Sequence, residues 1–131
     1  MTAHVVYEAI DPKNAATISS IIINEIIRDK IEFKGLLLSD DIGMEALSGT
    51  KGERALKILE AGCDLTLECS GKIEDMTEVA SIIPAMKEEA IGRAIKAEEL
   101  RQQKLIEDGL TYEEILEELK NILWDHQNEG A

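Results

Sequence analysis

The sequence predicts an α/β fold in which short parallel strands alternate with helices. Three apolar runs, over residues 4–7, 36–39 and 63–69, have the length and the β-branched or leucine-rich composition of strands. Segments with the apolar spacing of helices separate these runs. The order strand, helix, strand, helix, strand is typical of a parallel sheet with right-handed crossovers. Beyond Gly71 the sequence has helical character throughout.

The first predicted strand is His4-Val5-Val6-Tyr7, because β-branched and aromatic residues favour strands. Asp11-Pro12 then indicates a turn or loop. A helix is predicted over residues 20–30, with Thr17 or Ser19 as its cap. Its isoleucines are spaced to cover one face of a sheet: Ile22, Ile23, Ile26 and Ile27.

The second predicted strand, residues 36–39, is bounded by Gly35 and Gly43 and ends in two adjacent carboxylates, Asp40 and Asp41. Its leucine-rich composition indicates a strand buried on both faces. In parallel sheets the reacting groups lie at the C-terminal ends of the strands. The two acids therefore mark a candidate active-site edge.

The rest of the chain predicts one more strand and four more helices. A helix over 53–61 is stopped by Gly62, and the strand over 63–69 follows. The remaining helices are predicted over 73–83, 87–107 and 111–125. The last begins with a capping box of Thr111 and Glu114. It carries an apolar stripe that we interpret as a docking face, formed by Tyr112, Ile115, Leu116, Leu119, Ile122 and Leu123. The stripe packs on the rest of the protein or, as the minority alternative, on a partner helix.

Composition limits the class of protein. The chain has 131 residues, 44% of them hydrophobic, which suits one domain with a core. Its net charge of -13 argues against nucleic acid and anionic membranes as partners. No apolar run approaches the roughly 20 residues of a membrane span, and the start lacks signal-peptide character, so a cytoplasmic location is expected. Cys63 and Cys69 fit no zinc or redox spacing and are predicted to be buried free thiols.

The residue types alone leave the chemistry of the acids open. Asp40 and Asp41 are neighbours on a strand end, so their side chains point in opposite directions and do not form an acid/base pair. They can serve as a helix cap or in a loop ion pair, or, less expectedly, bind magnesium. His4 can be a general base or a packed side chain. Neither GxGxxG nor GxxxxGK is present, which excludes these nucleotide-binding motifs.

Several motifs taken together resemble one enzyme family. They are Met1-Thr2-Ala3-His4-Val5-Val6-Tyr7, Asp11-Pro12, Ala16-Thr17-Ile18-Ser19, Gly35-Leu36-Leu37-Leu38-Ser39-Asp40-Asp41-Ile42-Gly43-Met44 and Ala61-Gly62-Cys63-Asp64. In this order and spacing they resemble the bacterial beta-N-acetylhexosaminidases of glycoside hydrolase family 3. The resemblance covers about residues 1–90.

The resemblance implies a (β/α)8 TIM barrel of which the chain holds the C-terminal portion. Residues 4–7, 36–39 and 65–67 would be strands six to eight, and the helix over 73–83 would close the barrel. The expected domains are 1–85, the last three βα units, and 86–131, a C-terminal helical extension. A sheet of three strands with two helices between them lacks cover, which agrees with a chain cut from a longer protein.

The resemblance also implies roles for individual residues. The catalytic nucleophile of the family is the first aspartate after the serine, which is Asp40 here, and Asp41, Met44 and His4 are candidates for lining the sugar pocket. No cofactor or metal is implied. The expected substrate is a muropeptide or glycan containing N-acetylglucosamine, in peptidoglycan recycling. The oligomeric state stays open.

The same resemblance exposes a missing part. Family members take their general acid/base from an Asp-His dyad in a Lys-His-Phe-Pro-Gly-His-Gly segment, and this chain has no such segment. We therefore expect a truncated chain that is inactive alone. The alternative is a non-catalytic βα interaction module, or a self-assembling module, derived from that barrel.

Some positions depart from the family pattern. Glu8 stands where many relatives have a small residue or proline, and Glu68 stands at an often apolar or histidine position. Asp29 and Glu32 replace glycines expected before Phe33. If the backbone at Glu32 needs a positive φ, the glutamate should cost about 1 kcal/mol or more.

Overall fold

The structure, a computed structural model, describes residues 1–107, 111–117 and 119–120. The chain divides into two compact units, Met1–Ala94 and Ile95–Ala131. The expected domain boundary at residue 85 stays a prediction.

Helices surround a small parallel sheet in the first unit. A 3-10 turn over Ala16–Ile18 precedes a π-helix over Ile21–Lys30. Strand β1 (Leu38–Asp41), helix α1 (Lys51–Ala61) and strand β2 (Leu65–Leu67) form one βαβ unit. Helix α2 (Ile73–Ile82) follows, and helix α3 (Glu88–Glu107) begins in this unit.

The sheet confirms the parallel pairing of the second and third predicted strands. Leu38 lies opposite Leu65 and Asp41 opposite Leu67, with an irregular register between these pairs. Strand β1 begins at Leu38, later than the predicted strand over 36–39, because the N–H of Leu37 donates to the Asp64 carboxylate and not to the backbone of a neighbouring strand. The carbonyl of Leu37 accepts from the N–H groups of Asp64 and Leu65. The paired residues of the two strands start at Leu38 and Leu65.

The prediction that residues 4–7 form a strand is wrong. In the part of the chain that the structure describes, the sheet has two strands, β1 and β2. Residues near the N-terminus make one isolated antiparallel bridge instead, between Val6 and Ala15. The N–H of Ala16 bonds to the carbonyl of Val5, and Thr2 N–H bonds to Leu38 O. The bonds of Val5 and Val6 to Ala16 and Ala15 take the groups that a strand ladder would need, so three consecutive barrel strands are not formed.

One apolar core lies between the sheet, α1, α2 and the π-helix. Ile23, Ile42 and Ile58 are fully buried at its centre. Each is contributed by a different segment, so burying them joins the π-helix, the loop after β1 and α1. A buried Ile of this kind stabilises the fold by roughly 1.5–3 kcal/mol. The remaining core side chains are Ala15, Leu37, Leu47, Ala55, Ala61, Cys63 and Val79.

Capping groups fix both ends of α1. The Thr50 side chain accepts from the N–H of Glu53, whose carboxylate in turn accepts from the N–H of Thr50, which makes a complete capping box. The helix ends at Gly62, as predicted, with φ of +116°. Only glycine adopts such a backbone without strain.

The π-helix covers the predicted helical segment but has a wider hydrogen-bond pattern. At its end the N–H of Ile31 bonds to Ile26 O, five residues earlier, at 2.8 Å. Ser19 caps the start of this helix, as predicted, because its Oγ accepts a hydrogen bond from the N–H of Ile22 at 3.2 Å. After the helix the chain turns at Glu32 with φ of +57°, the positive value that a glycine would favour.

In the second unit, Thr111 and Glu114 form the predicted capping box: Glu114 N–H donates to Thr111 Oγ1 at 3.3 Å and Thr111 N–H to Glu114 Oε2 at 2.6 Å. Tyr112, Ile115 and Leu119 of the predicted stripe are exposed. The end of that helix, beyond residue 120, lies outside the described residues. Among the residues that are described, no helix has both the length and the apolarity needed to cross a membrane.

Candidate functional site

Asp40 lies near the C-terminal end of β1, where its side chain is partly buried. Its Oδ1 accepts a hydrogen bond from the N–H of Asp41 at 2.9 Å. Within the described part of the chain, no protein group donates to its other oxygen, Oδ2. The two carboxylate oxygens therefore differ, because the backbone holds Oδ1 and no described donor holds Oδ2.

Ser39 holds the backbone of Asp40 against β2. Its hydroxyl is fully buried, donates to the carbonyl of Asp40 at 2.7 Å and accepts from the N–H of Leu67 at 3.0 Å. The residue thus replaces a regular ladder bond where the strand register is irregular. The position of Ser39 directly before the acid is the one signal in the sequence that points to this residue.

Asp41 closes the loop after β1 onto the end of β2. Its Oδ1 accepts from the N–H of Gly43 at 2.9 Å and from the N–H of Cys69 at 3.2 Å. Its carbonyl accepts from the N–H of Met44 at 3.2 Å. The two adjacent acids therefore differ: the Asp41 carboxylate is used within the protein. Met44 beside it is exposed, and its contact with sugar stays a prediction.

His4 lies at the same end of the sheet, and both of its ring nitrogens contact protein atoms. Nδ1 lies 3.0 Å from Thr17 Oγ1, and Nε2 lies 2.9 Å from the carbonyl oxygen of Asp41. Thr17, a predicted helix cap, is instead fully buried and accepts from Thr2 Oγ1 at 3.1 Å. The structure thus brings His4, Asp40 and Asp41 together around β1, while the pocket role of His4 stays a prediction.

Glu68, which departs from the family pattern, is part of an ion-pair cluster beyond β2. Lys51 Nζ donates to Asp75 Oδ2 and to Glu68 Oε1, both at 2.6 Å. The bonds to Asp75 and Glu68 raise the pKa of Lys51, and the bond from Lys51 lowers the pKa of Glu68. The cluster joins the first turns of α1 and α2 to the segment after β2.

The two cysteines differ. Cys63 is a buried free thiol as predicted, and burial raises its pKa to about 11. Cys69 is exposed, so the prediction that it is buried is wrong. Its pKa is raised because neighbouring atoms remove part of its hydration and because Asp41, Glu68 and Asp40 repel a thiolate. In the described residues no group of three or more His, Cys, Asp and Glu side chains could hold a metal ion.

One cavity in the first unit is separate from Asp40. It has a volume of about 660 Å³ and lies beside Asp64, which precedes β2, and the start of α3. Arg28 and Arg93 line it, and both pair with the Asp64 carboxylate. Both cations are thus already paired with one carboxylate, and Asp40 is not among the residues that line the cavity.

Asp64 organises the backbone at this opposite end of the strands. Its Oδ2 accepts from the N–H of Leu37 at 2.9 Å, which agrees with a role in orienting the backbone. Burial raises the pKa of this carboxyl, but the bonds from Arg93 and from the N–H of Leu37 outweigh burial and keep the pKa below its usual value.

The family model for the glycosyl hydrolase family 3 N-terminal domain matches residues 1–104. A beta-hexosaminidase of Alkalilimnicola ehrlichii is 46% identical over 72 residues, which cover 53% of this chain and 20% of that protein. A beta-hexosaminidase of Idiomarina loihiensis is 32% identical over 113 residues, or 78% of this chain and 34% of that protein. The chain thus spans a fifth to a third of the length of these relatives.

A solved structure adds to these matches. The crystal structure of a beta-N-acetylhexosaminidase from Beutenbergia cavernae superposes with a TM-score of 0.53 at 30% identity, covering 62% of this chain and 25% of that one. The matching family model is that of an N-terminal domain. Together with the two-stranded sheet, this match contradicts the placement of the chain at strands six to eight of a (β/α)8 TIM barrel.

Proposed function

The chain belongs to the glycosyl hydrolase family 3 N-terminal domain family, and we propose that it supplies the nucleophile of a retaining beta-N-acetylhexosaminidase. The nucleophile is Asp40. The observation that carries this proposal is the state of its carboxylate: Oδ1 is fixed by the N–H of Asp41, and Oδ2 has no donor among the described residues. A nucleophile needs such an orientation together with an accessible oxygen.

The reaction proceeds in two displacements. In the first, Asp40 Oδ2 attacks the anomeric carbon, the glycosidic C–O bond breaks, and a general acid protonates the departing oxygen. In the second, water attacks the anomeric carbon of the glycosyl ester as a general base removes its proton. The ester bond breaks, Asp40 is regenerated, and the configuration at the anomeric carbon is retained.

Neighbouring groups support this role by fixing the strand end. Ser39 joins the carbonyl of Asp40 to β2, and the Asp41 carboxylate joins the following loop to Cys69 N–H. These bonds hold Asp40 with little freedom before substrate binds. Pre-organisation of this kind lowers the cost of reaching the transition state.

The acid/base part of the site is supplied from outside this chain. The family's Lys-His-Phe-Pro-Gly-His-Gly segment does not occur in the sequence. We therefore propose that the isolated chain does not turn over substrates whose leaving group needs a proton. The proposed substrate is a muropeptide or glycan with a terminal N-acetylglucosamine, released in cytoplasmic peptidoglycan recycling without a metal or cofactor.

The proposal is tested in the complemented chain, by which we mean this chain joined to the segments of a beta-hexosaminidase relative that it does not cover. The assay follows hydrolysis of an aryl N-acetyl-β-glucosaminide. Asp40→Asn should lower kcat by about 10⁴-fold, the scale on which loss of a triad member acts. Asp41→Asn is the matched control, because an amide oxygen still accepts from Gly43 and Cys69.

We expect Asp41→Asn to retain activity within about tenfold of the unsubstituted complemented chain. Retained activity in Asp40→Asn contradicts the assignment of the nucleophile. A complemented chain that unfolds cooperatively but hydrolyses no glycoside contradicts the proposed function and favours the non-catalytic module instead.

A further inference from the structure

We propose that His4 is a positioning residue, whose ring, held in one tautomer, fixes the backbone next to Asp40. The proposal rests on the proposed function of Asp40 and adds to it a residue that acts through another. It is carried by the two hydrogen bonds of the ring, to Thr17 Oγ1 at 3.0 Å and to Asp41 O at 2.9 Å.

The partner of Nε2 decides the tautomer. The carbonyl oxygen of Asp41 can only accept a hydrogen bond, so Nε2 carries the proton. In the neutral ring Nδ1 is then an acceptor, and the hydroxyl of Thr17 donates to it. The hydroxyl oxygen of Thr17 in turn accepts from Thr2 Oγ1 at 3.1 Å. All donor and acceptor roles in this chain of bonds are consistent with one another.

The chain of bonds is shielded from water at its centre. Thr17 is fully buried, with a relative exposure of 0%, and Thr2 has a relative exposure of 6%. Thr2 also lies 4.0 Å from the sulfur of buried Cys63. A buried hydroxyl that lost its partner would be left unsatisfied and would destabilise the fold. The ring of His4 is therefore anchored from behind, and moving its proton to Nδ1 would leave Nε2 facing the Asp41 carbonyl oxygen with no proton to donate.

Asp41 passes this constraint to Asp40. The carbonyl of Asp41 is held by His4, and the N–H of the same residue donates to Asp40 Oδ1 at 2.9 Å. Rotation of the backbone at Asp41 would therefore move the donor that orients the Asp40 carboxylate. The N-terminal segment also holds the other end of β1, because Thr2 N–H bonds to Leu38 O at 2.8 Å.

The test uses the full 131-residue chain and two variants of the same position. His4→Gln places an amide N–H near the location of Nε2 and can still donate to Asp41 O, whereas His4→Phe keeps a ring without a donor. Nitrogen NMR at about pH 8, where imidazole is ordinarily neutral, reports the tautomer. Hydrogen exchange of the Asp41 amide reports the bond that orients Asp40.

We expect a neutral ring of His4 with the proton on Nε2. Exchange of the Asp41 amide should be about tenfold faster in His4→Phe and within about twofold of the unsubstituted chain in His4→Gln. Rescue by glutamine is the readout that separates positioning from packing, because the phenylalanine ring is closer to histidine in shape. A proton on Nδ1, or equal exchange in the two variants, overturns the proposal.

These measurements need no catalysis, so they remain decisive if the complemented chain proves inactive and the proposed function fails. Where it is active, His4→Phe should lower kcat by about tenfold with KM unchanged, and His4→Gln should restore it. A raised KM in both variants, with kcat unchanged, would assign His4 to sugar binding and overturn the positioning role.

Discussion

Arg93 donates two hydrogen bonds to the carboxylate of Asp64, from Nε to Oδ2 at 3.0 Å and from Nη2 to Oδ1 at 2.6 Å. Arg28 donates a third, from Nη2 to Oδ2 at 2.8 Å. The Asp64 side chain is only 3% exposed, whereas those of Arg28 and Arg93 are 17% and 27% exposed. One buried charge thus compensates two partly buried ones.

This arrangement makes the carboxylate more important to stability than either arginine. Asp64→Asn leaves both guanidinium groups without a counter-charge and should lower the free energy of unfolding by about 2–4 kcal/mol. Arg93→Gln leaves the Arg28 pair intact, so it should cost about 1 kcal/mol or less. Urea unfolding of the chain measures both values. Equal costs for the two variants would show that the buried charge is not the dominant group.

Asp11 should make stability depend on pH in acid. Ser19 Oγ, Asn14 Nδ2 and the N–H of Lys13 donate to its carboxylate at 2.7, 3.0 and 3.1 Å. These bonds lower its pKa from 3.8 to about 2. Because the folded pKa is the lower one, the stabilisation is complete above about pH 4 and is lost as the pH falls through about 2. The measurement is the urea midpoint as a function of pH.

Asp11→Asn is the control for this pH dependence, because an amide does not titrate. Between about pH 4 and pH 2 the unsubstituted chain should lose more stability than the variant, so the two curves converge on acidification. Parallel curves over this interval would mean that Asp11 titrates alike in the folded and unfolded chains.

The positive φ of Glu32 predicts a stabilising substitution. Its value of +57° costs a side-chain-bearing residue about 1–2 kcal/mol, which glycine avoids at some cost in the entropy of the unfolded chain. Glu32→Gly should therefore raise the free energy of unfolding by about 1 kcal/mol. Asp29→Gly, three residues earlier inside the π-helix, should lower it by about 0.5–1 kcal/mol. Thermal unfolding that ranks the two variants in the reverse order contradicts the strain.

Gly62 and Gly92 form a matched pair for the opposite change. A Cβ at Gly62 would lie 3.0 Å from both Asn24 Oδ1 and Ile23 Cγ2, at a φ of +116°. Gly62→Ala should cost about 1–3 kcal/mol. At Gly92, within α3, a Cβ meets nothing within 4 Å, so Gly92→Ala should stabilise by about 0.5–1 kcal/mol. Calorimetry of both variants checks the sign of each change.

Local patterns in the sequence were sufficient for most helices and for the parallel pair. Each of these patterns acts over one or two helical turns. The structure confirms the helix end at Gly62 and the capping box at Thr111. The error at residues 4–7 has a different origin. These residues have strand propensity, but a strand also needs a continuous neighbour, and Val5 and Val6 bond instead to Ala16 and Ala15.

The candidate site was only partly accessible to the same reasoning. Asp40 and Asp41 were visible as acids at a strand end, and their position is a local property. The bonds that distinguish them come from Cys69 and His4, which are 28 and 37 residues away from Asp41. No periodicity encodes such contacts, because they depend on how the chain folds back on itself.

The most direct measurement on Asp40 is the identification of the residue that becomes covalently glycosylated. The complemented chain is treated with an N-acetylglucosaminyl fluoride whose sugar ring carries one further fluorine. The anomeric fluoride is the leaving group, and the further fluorine slows hydrolysis of the glycosyl ester more than its formation. Mass spectrometry of the digested protein should find one added sugar on Asp40, and none in Asp40→Asn. A sugar attached to Asp41 or to any other residue would contradict the assignment of Asp40 as the nucleophile.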